Sequence, residues 1–133
     1  MKKDYSNRIT PEFINSLNPN EIFVFGSNLA GMHGGGAART ARLYFGAVMG
    51  NGDGPQGQSY AIPTMQGGVE TIRPYVDKFI DYAKAHPEQT FLVTPIGCGI
   101  AGWHVDEIAP LFKEASRLAN VTLPESFWKI LGL

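Results

Sequence analysis

The chain is short of several things that whole classes of protein depend on. Of its 133 residues a single one is cysteine, Cys98, which excludes an intramolecular disulfide and any multi-cysteine zinc site. An excess of charge of one sign is missing as well. Eleven basic and 12 acidic residues leave a net charge of -1 and no electrostatic footprint for duplex nucleic acid or an anionic membrane surface. No apolar run approaches the roughly 18 residues of a membrane span. Met1, Lys2 and Lys3 are followed by polar Asp4, Tyr5, Ser6 and Asn7 rather than by a signal-peptide core, so the expected setting is cytoplasmic. Acids are scarce where it matters: Asp53 is the only one between Gly26 and Val69, and none lies between Pro95 and Val105. An anion beside those stretches meets little repulsion, and no carboxylate pair for acid-base catalysis can be read from them. The Gly-Lys-Ser/Thr of a Walker loop and the G-x-G-x-x-G fingerprint are both absent, which disfavours ordinary ATPases and dehydrogenases.

What the chain has in excess is glycine, 16 residues unevenly placed. Five fall between Gly26 and Gly36, seven between Gly46 and Gly68, three between Gly97 and Gly102, and Gly132 stands alone. The spacing is not the period of three that collagen needs, and 44% hydrophobic with 11% aromatic residues excludes a flexible linker. About 130 residues is the size of one domain with one core, taken here as residues 1–133.

Thr10, Pro11 and Glu12 supply a hydroxyl N-cap, a proline at the first helical position and a first-turn acid, predicting a helix over 10–17. Ile22, Phe23, Val24 and Phe25 form an apolar, β-prone run stopped by Gly26, the best candidate for a central strand. A helix is expected over 36–45. Residues 46–57, with Asn51, Asp53 and Pro55 among their glycines, read as a mobile connection with too few apolar groups to pack. A short strand over 58–63 follows. Ile72, Val76, Phe79, Ile80 and Ala83 keep helical spacing, with Thr71 as N-cap and Pro74 in the first turn. Phe91 to Val93 reads as a second buried strand. Val105, Ile108, Ala109, Phe112, Ala115 and Leu118 lie on one face of a further helix, followed by a strand at 121–123 and a helix over 124–131. Alternating strands and helices predict an α/β fold, a three-layer sandwich with a mainly parallel sheet.

Two glycine loops would then lie at the carboxyl ends of strands, where such sheets bind ligands. A glycine loop entering a helix offers free backbone N–H groups and the positive end of the helix dipole, both suited to phosphate. The first loop contributes Gly26, Ser27, Asn28, Gly34, Gly35, Gly36 and Ala37 as candidate binding residues. The second contributes Gly97, Cys98, Gly99, Ile100, Ala101, Gly102 and Trp103.

The stretch from Phe25 through Asn28 to Ala38, followed about 60 residues later by Pro95 to Trp103, resembles the two ligand loops of macrodomains. It also resembles a set of bacterial and phage proteins carrying Gly-Ser-Asn and His-Gly-x-Gly-Ala-Ala. The macrodomain resemblance implies binding of ADP-ribose or a similar nucleotide, with no cofactor and no metal. Its second loop is most similar to the terminal ADP-ribose glycohydrolase branch, which implies hydrolysis of an ADP-ribosyl bond. That branch has an aspartate where this chain has Ala101, and its catalytic lysine has no clear counterpart, so binding is the firmer implication. The acidic adenine-binding residue that the family carries ahead of the central strand has Glu12 as its nearest match.

For catalysis, Asn28 would position a ribose while His33 or Asp53 activates water. Each candidate has a plainer role: a turn for Asn28, conformational freedom for the glycines, core packing for Trp103, a solvated face for Arg39 and Arg42. Cys98 would be a nucleophile only if the helix after it lowered its pKa. Asp106 in the first turn of that helix is explained by the dipole. Two other functions remain open: a phosphoester or nucleoside hydrolase using His33, His104 and a loop acid, with or without a metal, and a non-enzymatic, phage-related interaction protein.

Overall fold

A computed structural model describes residues 6–98 and 101–132. The apolar run of Ile22 to Phe25 forms the middle of strand β1 (Glu21–Ser27). Side chains alternate across a strand: Ile22 and Val24 enter the larger hydrophobic cluster, Phe23 and Phe25 a smaller one on the opposite face. A strand buried on both faces sits inside a sheet, and β1 pairs in parallel with β3 (Ser59–Pro63) on one edge and β4 (Thr90–Val93) on the other. Strand β2 (Gly54–Gln56) adds antiparallel to β3, and β5 (Val121–Thr122) parallel to β4. The fold is α/β, with a five-stranded, mostly parallel sheet in the order β2-β3-β1-β4-β5.

Helix α1 (Gly36–Tyr44) packs Ala38 and Ala41 against Phe23, Phe25, Phe45 and Ala61. On the other face α2 (Arg73–Ala85) buries Val76, Phe79, Ile80 and Ala83. α3 (Val105–Ile108) and α4 (Glu125–Leu131) join α2 there through Ile108, Phe127 and Trp128. The chain leaves β1 towards α1 on one face and leaves the adjacent β4 towards α3 on the other. That reversal opens a crevice at the carboxyl ends of β1 and β4. No helix among the described residues is long and apolar enough to cross a membrane.

Four local expectations are corrected. Residues 10–17 are not helical. Thr10 does not cap a helix: its N–H donates to Leu123 O at 2.9 Å and its hydroxyl pairs with that of Thr122 at 2.7 Å, beside an Ile9–Leu123 bridge. Long-range pairing overrides the local helix-start signal there. Residues 46–57 are not a mobile connection. They hold β2 and bury Ala47, Gly52 and Gln56. The Gln56 side chain accepts from Val48 N–H at 2.7 Å and donates to Asn51 O at 3.1 Å, so hydrogen bonds replace the missing apolar contacts. The helix expected across Val105–Leu118 breaks into α3 and two 3-10 turns, Ala109–Phe112 and Ala115–Arg117. Pro110 lacks the N–H that a continuous helix requires, yet Ile108, Ala109, Phe112 and Ala115 still face the core. Thr71 does not cap α2, since Ile72 occupies that position and the Thr71 hydroxyl donates to Gly68 O at 2.6 Å.

Candidate functional site

Two adjoining cavities lie over the carboxyl ends of β1 and β4. The smaller, about 590 Å³, is lined on one side by Gly26, Ser27, Asn28, Met32 and Gly34 to Ala38, and on the other by Thr94 to Cys98 and Ala101. Thr64 and Met65, just past β3, close its edge. The larger, about 1080 Å³, runs from Gly36, Ala37 and Thr40 under the segment Ile9 to Asn15 and on to Pro124 and Glu125. Gly36, Ala37, Thr94 and Pro95 line both, so the two are continuous.

The first loop is held by polar contacts. Asn28 Oδ1 accepts the Met32 N–H at 3.1 Å, the bracing role that competes with ribose binding, although Asn28 also lines the smaller cavity. The Ser27 hydroxyl donates to Gly52 O, and Gly50 N–H to Gly31 O at 2.9 Å. Gly31 (φ +70°) and Gly52 lie so close to the neighbouring backbone that a Cβ on Gly52 would fall 1.8 Å from Asn28 O. Beyond the loop Gly35 is the N-cap of α1 and has no side chain to cap the first-turn N–H groups, and Gly35 to Ala38 line the smaller cavity. Space at Gly34 and Gly36 is open: an added Cβ would meet nothing within 4 Å.

Apolar contacts hold the second loop. Ile96 is buried in the large cluster, and Trp103 folds back over the loop. Its indole Nε1–H donates to Thr64 O at 3.0 Å and its backbone N–H to Gly97 O at 2.8 Å. Gly97 (φ +73°) sits under the Trp103 ring edge, and Gly26 approaches Gly97 so closely that a Cβ there would lie 3.0 Å from Gly97 N. Trp103 therefore packs behind the loop and is not among the residues lining either cavity. Gly99 and Ile100 lie outside the described residues. Gly102 has φ +80° and open space around it.

Of the expected catalytic residues the structure brings Asn28 to the smaller cavity but neither His33 nor Asp53. His33 is fully buried beneath the first loop, its Nε2–H on Asn51 O at 2.9 Å, its ring edge against Phe25 and its Nδ1 without a partner. Asp53 pairs with Lys78 of α2 at 2.8 Å. His104, exposed, is the N-cap of α3, and its backbone N–H donates to Glu107 Oε1 at 3.0 Å. Neither histidine lines either cavity, and among the described residues no group of three His, Cys, Asp or Glu could hold a metal. Arg42 turns its Nε to His33 O at 3.2 Å, while Arg39 is exposed. Cys98 is half-buried, and burial and then the charge of Glu107 push its thiol pKa up, the opposite of what an activated nucleophile needs.

The smaller cavity has no charged side chain among its described lining residues. The Ser27, Thr64 and Thr94 hydroxyls there donate to the backbone oxygens of Gly52, Ser27 and Val24. Beside the Asn28 amide and the Cys98 thiol, what remains is backbone, thioether and methyl surface around an uncapped helix end, which suits an anion. The larger cavity differs, with Glu12 and Glu125 in an apolar wall of Ile9, Ile14, Phe23, Pro95 and Pro124. Sequence reasoning missed Gln56, Thr64 and Met65; the first had a signal, an amide inside a polar stretch that had no other means of packing. No family model, curated protein or solved structure matches the chain.

Proposed function

We propose that this protein is a macrodomain-like module that binds ADP-ribose or a related nucleotide diphosphate. The observation that carries the reading is the meeting of two glycine loops across a cavity into which the uncapped end of α1 opens. The diphosphate sits in the smaller cavity, where backbone N–H groups and the helix dipole receive it and no acid opposes it. The nucleoside extends into the larger cavity, whose Glu12 accepts hydrogen bonds from amino groups and would repel phosphate. Helices on both faces of a mostly parallel sheet are what the three-layer macrodomain arrangement requires.

The proposal is for a binding module. No acid or base lies among the described lining residues of the smaller cavity, where the diphosphate is placed, and His33 and Asp53 line neither cavity. Calorimetry with ADP-ribose tests the reading: heat of binding and a thermal shift at millimolar ligand are expected, and the absence of both removes it.

A further inference from the structure

The segment bordering the larger cavity is fastened at both ends and bare in between. Thr10 is fixed to β5 and Leu123 by two hydrogen bonds, and Ile14 and Leu17 pack against the small cluster. Pro11, Glu12 and Phe13 between these anchors are exposed. Phe13 stands out at 86% exposure while lining the cavity that adjoins the glycine loops. The only other aromatic side chain among the described residues of that lining, Phe23, is 3% exposed and belongs to the core. Phe13 therefore contributes almost no burial to the fold, and a large ring held at the mouth of an apolar trough has an unfilled face on which a second planar ring can stack.

We propose that Phe13 is a stacking residue, carried on a strap that closes over the heteroaromatic base of a nucleotide whose diphosphate occupies the smaller cavity. This rests on the proposed function and adds to it a specific side chain and a movement. Closure needs only a turn of the three residues between two fixed points. It sandwiches the base between the phenyl ring and the cavity wall of Ile9, Ile14 and Pro124. Because stacking reads a π-face and not an edge pattern, Phe13 favours a ligand with a base over one without, whichever base it is.

The test compares ADP-ribose with ribose 5-diphosphate, which keeps the diphosphate and lacks the adenosine, by calorimetry on the unaltered protein, Phe13→Ala and Phe13→Trp. An exposed side chain can be truncated without loss of fold, and equal melting temperatures verify that. Phe13→Ala should weaken ADP-ribose about ten-fold or more, leave ribose 5-diphosphate unchanged, and be rescued by Phe13→Trp. Unchanged ADP-ribose affinity in Phe13→Ala overturns the strap while the diphosphate site stands. An equal loss for both ligands also overturns it, because Phe13 would then act on the loops and not on the base. If neither ligand binds the unaltered protein, the proposed function itself falls, and the strap with it.

Discussion

The two loops that face each other across the smaller cavity are rich in the same residue and are held by opposite means. The first is tied by hydrogen bonds among Ser27, Asn28, Gly31, His33 and the segment around Gly52; the second is wedged by Ile96 and Trp103 against the large core. Glycine serves the first loop as a place where one backbone presses on another, and serves the second as a place where the edge of an aromatic ring can come close. Polar ties are directional and fail when their geometry shifts, whereas an apolar wedge tolerates small displacements and loses stability in proportion to the surface exposed.

The sharpest way to break this comparison is Gly52→Ala. Its Cβ would occupy the place of Asn28 O, so the first loop must move, at about 3 kcal/mol of stability. Thermal denaturation should show a drop on the order of 10 °C, and a loss of under 3 °C would mean that the ties around Gly52 are not what holds the loop. Next comes Trp103→Phe, which keeps most of the wedge but removes the donor to Thr64 O. About 1 kcal/mol is expected from chemical denaturation, with ligand affinity little changed. A larger loss would make the second loop a polar construction too.

Gly34→Ala sharpens the comparison without breaking either loop. Its position is open and its φ is not positive, so stability should stay within about 0.5 kcal/mol, while the methyl stands where a diphosphate would approach. A fall in ADP-ribose affinity at constant melting temperature is the expected result; unchanged affinity would make Gly34 a turn and nothing more. The smallest effect concerns Cys98. Its thiol pKa is raised above the ordinary 9.0, so it stays protonated at neutral pH and iodoacetamide should label it more slowly than a free cysteine. The sign of the linkage follows: the unfolded chain ionises first, so stability from this group is lost only as pH rises past that ordinary value. Rapid labelling near pH 7 would contradict the raised pKa.

The strands were legible because Ile22 to Phe25 and Phe91 to Val93 bury both faces and are bounded by turn residues, so local pattern and tertiary role agree. Helix α2 was legible for the same reason. Thr10 misled because its hydroxyl, a good cap by local rules, finds Thr122 across the fold instead. Residues 46–57 misled because their packing consists of backbone contacts and one buried amide, which hydrophobic periodicity does not register. Among the candidate site residues, Asn28, Gly26, Gly34, Gly35, Gly36 and Gly97, expected from their place in the two loops, line the smaller cavity, whereas Gly102 does not. His33 was not placed correctly, since a histidine between glycines gives no sign of whether it faces the ligand or the floor.

The approach of Gly26 to Gly97 has a further consequence. Where those two residues touch, no side chain separates the loops, so the gap at the floor of the cavity is set by the thickness of two peptide backbones. Substitution at Met32 or Met65 can reshape the rim, and the strap can alter the roof, but neither can change that gauge. A redesign of this scaffold for a bulkier anion would therefore have to lengthen a loop rather than exchange its residues.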